Sequence, residues 1–182
     1  MQPDHDNLHA PPTVSAWVRN WTGRIPPGSP VLDLASGSGR HSRYLAALGH
    51  RVLAVDKDAA ALATLAGSAG IEILAADLES EAWPLGDRRF GGVVVTNYLH
   101  RPLFARILAA VAPEGVLIYE TFAAGNERFG KPSNPDFLLR PGELLAVVAG
   151  NFRVIAYEDL QVGGARPAMV QRICAVRTAV DP

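Results

Sequence analysis

At 182 residues and 48% hydrophobic content, the chain is long enough to bury one sizeable core and short for two domains of usual size. With 17 Lys and Arg against 18 Asp and Glu, it carries no global field to recruit nucleic acid or an anionic membrane, so neither is expected as a partner. Cys174, the lone cysteine, excludes a disulfide framework and a thiolate metal cluster and fits a reducing, cytoplasmic setting; no metal site is expected.

The acidic start, Met1 to Asp6, does not read as a signal peptide, and no apolar run approaches the roughly 20 residues of a membrane span. Residues 1–12, polar and proline-containing, read as a flexible tail, and 13–182 as one domain. Thr13 is placed to cap a helix on which Val14, Trp17, Val18 and Trp21 share one face. That face suits core packing, and Trp17 is also a candidate for substrate contact. The Pro26-Pro27-Gly28 cluster then leads into a strand, Val31 to Leu34.

From there strand and helix patterns alternate. Arg40 to Leu48 reads as a helix, Arg51 to Val55 as a strand, Ala59 to Ala66 as a helix capped by Asp58, and Ile71 to Ala75 as a third strand. Phe90 to Thr96 is a fourth strand, Pro102 to Val111 a helix and Gly115 to Thr121 a fifth strand; Pro141 opens a helix that Gly150 closes. Continuous Val, Ile and Leu runs suit strands covered on both faces, and the alternation predicts an α/β, Rossmann-like, doubly wound parallel sheet. Phe152 to Leu160 and Met169 to Val176 stand too close in sequence for a parallel crossover. They predict an antiparallel hairpin completing a seven-stranded, mostly parallel sheet.

In such sheets ligands sit outside the carboxyl ends of the strands. The turn Asp33-Leu-Ala-Ser-Gly-Ser-Gly39 stands at the first such end. Gly37 and Gly39 let a ligand approach the backbone, and the helix opening at Arg40 points free amides toward it, which suits a carboxylate or a phosphate. Asp33 is placed to take hydrogen bonds from an ammonium or from the loop's own amides. Asp56, after strand two, suits the two hydroxyls of a ribose. Asp77, after strand three, is placed for an adenine amino group, with Leu78 on the ring; capping a turn is its alternative role.

Asp33 to Gly39, Asp56 and Asp77, in that order on successive strand ends, resemble the class I S-adenosylmethionine-dependent methyltransferases, and more loosely the small bacterial, tellurite-resistance-like members. The resemblance spans roughly residues 13 to 178. It implies S-adenosyl-L-methionine as cofactor, with the turn of Gly37 and Gly39 against the methionine moiety, Asp56 at the ribose and Asp77 at the adenine with Leu78 on the ring; Asp33, Ala35, Lys57 and Asn97 complete the expected cofactor-binding residues. Ala35 stands where many members have glycine.

A sulfonium already activates its methyl group, so a protein of this kind chiefly aligns an acceptor, and a base is optional. Thr96-Asn-Tyr-Leu-His-Arg-Pro102 supplies Tyr98 and His100 as catalytic candidates and Arg101 as a holder of acidic substrate. Glu120 is a further candidate base, or a structural carboxylate. His41 reads as a local hydrogen-bonding residue and Cys174 as an inert packed one. The long connection from Ala123 to Leu139 carries Asn126 and Arg128 and suits a lid over a polar substrate. With no inserted recognition domain, a small-molecule acceptor is expected. A nicotinamide-dependent oxidoreductase and a non-catalytic S-adenosylmethionine-binding protein are the competing functions.

Overall fold

The computed structural model describes residues 13–80, 82–164 and 167–179; the tail expected over 1–12 lies outside them. Seven strands make one sheet in the order β3-β2-β1-β4-β5-β7-β6. They are β1 (Val31–Leu34), β2 (Val52–Asp56), β3 (Ile71–Ala75), β4 (Phe90–Thr96), β5 (Val111–Phe122), β6 (Phe152–Val162) and β7 (Ala168–Arg177). The first five pair in parallel, and β7 runs antiparallel to both β5 and β6. This is the expected doubly wound sheet with its closing hairpin. The order reverses between β1 and β4, where a crevice opens at the strands' carboxyl ends.

Every residue of β1 and β4 is buried, which explains why their sequences, Asp33 and Thr96 apart, are apolar instead of alternating. On one face, Leu32, Val55, Val95 and Tyr119 pack with Ile107 of α4 (Phe104–Ala110) and Leu144 of α5 (Glu143–Val148). On the other, Val31, Val94 and Ile118 meet Trp17 and Val18 of α1 (Ala16–Trp21) and Leu45 of α2 (Arg40–Ala47). The short α3 (Ala59–Ala63) and the turn after it set Leu62 and Leu65 on Ala54 of β2. Cys174 is fully buried, and burial pushes its thiol up to about 11, as expected of an inert packed residue.

Several element ends differ from expectation for local reasons. Ser15, not Thr13, caps α1, its Oγ accepting from the Trp17 and Val18 amides. The helix α3 stops at Ala63, where the Thr64 hydroxyl turns back onto the Ala61 carbonyl. Between β3 and β4 the described residues form turns, and Leu78 and Leu85 cover the sheet there.

Gly39 was expected beside a ligand, but its reason is packing. It caps α2 in a left-handed conformation with φ of +76°, and a Cβ there would overlap the Leu65 side chain, itself fully buried. Gly39→Ala should therefore lose about 2–3 kcal/mol, from backbone strain plus overpacking. That is a fall in Tm of roughly 5–10 °C. Adding Leu65→Ala should restore part of the strain loss, and fully additive losses in the double variant would contradict the packing account.

Candidate functional site

The turn after β1 is held from the neighbouring strand. Ser36 N–H donates to the Val55 carbonyl at 3.0 Å, and Gly37 N–H donates to Oδ2 of Asp56 at 2.7 Å. The second oxygen of Asp56 accepts from Asp58 N–H at 2.9 Å, so one carboxylate joins the ends of β1 and β2. Gly37 has φ of +55°, and a Cβ there would meet no atom within 4 Å, which leaves the turn open on that side. Ala35 adopts the same left-handed backbone, φ 56°, a conformation that suits glycine better than a residue with a Cβ.

Two cavities meet at Ala35. One, of about 200 Å³, is lined by Asp56, Lys57, Asp77, Leu78, Glu79 and Tyr98. The other, of about 250 Å³, is lined by Ser36, Gly37, Arg40, His41, Thr96 and Asn97. Together they form a groove across the carboxyl ends of β3, β2, β1 and β4, which gathers Ala35, Gly37, Asp56, Lys57, Asp77, Leu78 and Asn97 as the sequence suggested. A larger hollow, of about 410 Å³, lies at the strands' opposite ends against Pro30, Arg51 and Arg88, away from the strand-end acids.

Asp33 departs from its expected place. It is 1% exposed and takes the Ser42 hydroxyl at 2.6 Å, so it fastens α2 to β1 from within instead of meeting a ligand. Burial raises its pKa to about 6, against the lowering effect of the Ser42 hydrogen bonds and of nearby Arg40. Asp77 closes a turn, one oxygen accepting from Glu79 N–H at 2.9 Å, while its side chain lines the first cavity.

Sequence reasoning did not single out Glu79. Tyr98 O–H donates to it at 3.4 Å, and His100 Nδ1 stands 3.8 Å from its other oxygen. Tyr98 thus lines the cavity shared with Asp77, His100 stands beside it at Glu79, and burial, followed by Glu79, raises the Tyr98 pKa. The only signal in the sequence was a second acid two positions after Asp77.

The other cavity carries a separate network. Ser15 N–H donates to Nε2 of His41 at 3.2 Å, which leaves the proton on Nδ1, 3.3 Å from the Thr96 hydroxyl. Burial and the neighbouring Arg40 lower the His41 pKa to about 4, so the ring is neutral near pH 7. Glu120 accepts from the Ser15 hydroxyl at 2.7 Å and from Arg172 at 3.2 Å; Arg172 also pairs with Glu158 and lies 4.9 Å from the Trp17 ring centre. Its carboxylate therefore ties α1 to the sheet.

Residues expected to hold substrate are engaged elsewhere. Trp17 is 3% exposed, and its indole N–H donates to the Ile173 carbonyl. The Arg101 guanidinium binds Glu143 at 2.7 and 2.9 Å and the carbonyls of Asp136 and Leu138. Asn126 bonds Pro132 and Met169, and Arg128 folds back on the Gly125 carbonyl and the Phe129 ring. The 123–139 connection is stapled by Ala124 N–H to Leu139 and Leu139 N–H to Phe122, not hung as a loose lid.

Comparison with known proteins agrees with this architecture. Residues 31–115 match the family model described as a methyltransferase domain. No curated protein matches the chain. Among solved structures, an S-adenosylmethionine dependent methyltransferase from Mesorhizobium loti superposes with TM-score 0.67 at 17% identity, covering 89% of this chain and 98% of that one. TehB from Haemophilus influenzae gives 0.73 at 17% identity over 91% of this chain, which spans only 63% of TehB. The 1,6-didemethyltoxoflavin-N1-methyltransferase of Burkholderia thailandensis, crystallised with that substrate and S-adenosylhomocysteine, gives 0.63 at 22% identity over 90% and 79% of the two chains. The resemblance carried by the strand-end motifs is borne out.

Asp33 and His41 impose opposite pH slopes on stability. Asp33, raised to about 6, keeps its proton in the folded chain where the unfolded chain has released it, so its contribution is lost as pH rises through about 6. His41, lowered to about 4, stays neutral where the unfolded chain takes up a proton, so its contribution is lost as pH falls from 6.5 toward 4. Asp33→Asn should therefore gain stability relative to wild type as pH rises from about 4 to 6, and His41→Gln should lose it over about 4 to 6.5. Denaturant unfolding at a series of pH values measures both, and profiles parallel to wild type would contradict the assignment.

Proposed function

From the premise that the chain carries a methyltransferase domain in the fold of S-adenosylmethionine-dependent methyltransferases, we propose that it moves a methyl group from S-adenosyl-L-methionine to a small-molecule acceptor by in-line displacement. The observation that carries this reading is the groove in which the Gly37 turn, Asp56 and Asp77 line up across successive strand ends. The residues present fit such a cofactor. Asp56 uses two of its roughly four acceptor positions internally and keeps the rest for ribose hydroxyls. The Ser36 hydroxyl, on the second cavity, is buried with no partner among the described residues. Asp77 and Leu78 would hold the adenine, the Gly37 turn the methionine moiety, and Asn97 would stand near the sulfonium.

When bound, the cofactor supplies a methyl group already activated by positive sulfur. The chain's own residues position the acceptor and keep water out. Among the described residues, Glu120 is committed to Ser15 and Arg172, and His41 is neutral with both ring nitrogens engaged. This favours acceptors that need no strong base on the methyl side, such as thiolates, chalcogen anions, carboxylates or neutral amines. Tyr98 and His100 would act from the nucleoside side, where Glu79 holds them.

A small acceptor accords with there being no inserted recognition domain among the described residues and with the 1,6-didemethyltoxoflavin named for one structural neighbour. Near-balanced charge speaks against nucleic acid, and the buried lone thiol suits the cytoplasm. No described helix is long and apolar enough to cross a membrane.

Labelled methyl donor incubated with thiol, amine, carboxylate and chalcogen acceptors tests turnover directly. A melting shift with NADH but none with S-adenosylhomocysteine would select an oxidoreductase instead, and tight S-adenosylhomocysteine binding without turnover on any acceptor would select a non-catalytic binder. Asp56→Ala should weaken S-adenosylhomocysteine binding by roughly 1.5–3 kcal/mol in titration calorimetry, the range for hydrogen bonds to a charged group. Unchanged affinity would remove the ribose assignment.

A further inference from the structure

We propose that an arginine-lined cavity at the amino ends of the strands is a second ligand site, which takes a small phosphate monoester carrying a planar ring. It lies at the opposite end of the sheet from the strand-end groove and does not depend on what that groove holds.

The cavity, of about 230 Å³, lies between the 83–89 turn that leads into β4 and the C-terminal half of α4. Arg88, Arg89 and Arg106 line it, and Asp87 is the one acid on its wall. Arg88 is held by Glu72 at 3.3 Å and by the Phe90 ring, whose centre is 5.5 Å from its guanidinium. Among the described residues, Arg89 and Arg106 make no ion pair and no side-chain hydrogen bond, and Asp87 pairs with none of the three, whereas Arg88, Arg101 and Arg172 each find a carboxylate.

Like charges gathered on one small cavity repel, and the usual relief is missing. The carbonyls that end α4 carry partial negative charge that would draw a nearby cation, but Arg177 already occupies them. Its Nη1 donates to the carbonyls of Leu108, Ala109 and Val111 at 3.0, 3.3 and 2.7 Å. Arg88 also borders the larger hollow, where Arg51 adds further positive charge. A phosphate would relieve the repulsion, because planar guanidinia take its oxygens through paired, charge-assisted hydrogen bonds. The remaining wall selects the rest of the ligand. Trp83 packs partly against the core while lining the cavity, so its ring offers a flat apolar surface to a planar group attached to the phosphate.

Titration calorimetry with phenyl phosphate, inorganic phosphate and phenol tests the site. Wild type should bind phenyl phosphate about 2- to 10-fold more tightly than inorganic phosphate, the span expected of an aromatic pair, and phenol far more weakly than either. Arg89→Gln and Arg106→Gln should each weaken phenyl phosphate about 10-fold, with Arg106→Lys restoring part of the loss. Without ligand both glutamine variants should melt no lower than wild type, because the repulsion is relieved. Arg40→Gln, at the groove, should leave phenyl phosphate affinity unchanged. Inorganic phosphate bound as tightly as phenyl phosphate, no binding of either, or full affinity in both Arg89→Gln and Arg106→Gln would overturn the site. Weakening by Arg40→Gln would place the anion in the groove and overturn it as well. A single-stranded oligonucleotide bound more tightly than phenyl phosphate, with the same loss in Arg106→Gln, would give the arginines to nucleic acid and overturn the small-ligand assignment.

Discussion

One carboxylate gives the groove its shape. Asp56 ends β2 with its two oxygens turned in different directions, one onto the Gly37 amide of the turn after β1 and the other onto the Asp58 amide of its own turn. Parallel strands bring those two turns side by side, and Asp56 fixes their spacing. The cavities on either side share Ala35, next to this junction, so a ligand lying across them would touch a backbone already set in position. Preorganisation of that kind reduces the ordering cost of binding. The same carboxylate holds the turn and lines the groove, so replacing it would loosen the turn as well as change the groove wall.

Behind the groove, charge is used to hold elements together. Glu120, Arg172 and Glu158 form a line of alternating sign beneath α1, and Ser15 joins that line to the helix cap. Arg101 does the same for the 123–139 connection by gripping Glu143 and two carbonyls. Each pair is partly shielded from solvent, where breaking one partner leaves the other poorly solvated. These ion pairs hold the first helix and the connection in place and leave uncovered Asn97, Arg40 and the Ser36 turn on one side of the groove and Glu79 and Tyr98 on the other, with His100 beside Glu79.

Much of this was legible in the sequence because it is local. Strand ends carry acids in order, glycines mark the turns, and the close spacing of Phe152 to Leu160 and Met169 to Val176 announces the antiparallel hairpin. The roles of Glu120, Arg101 and Trp17 were not legible, since their partners stand 105, 42 and 156 positions away. A polar side chain near a strand end reads as a ligand contact until the residue that neutralises it is known. Gly39 misled for a related reason: a glycine in such a turn suits close ligand approach and close packing equally, and only Leu65 decides between them. Asp33 looks exposed in a motif, yet Ser42, nine positions on, encloses it.

The groove over the carboxyl ends of β3, β2, β1 and β4 is proposed to cradle an S-adenosyl nucleoside. A crystal structure of the protein grown with S-adenosylhomocysteine tests this most directly. Density should lie along that groove, with the ribose hydroxyls against Asp56 and the base against Asp77 and Leu78. Density confined to the hollow at the opposite ends of the strands, or an empty groove at saturating ligand, would contradict it.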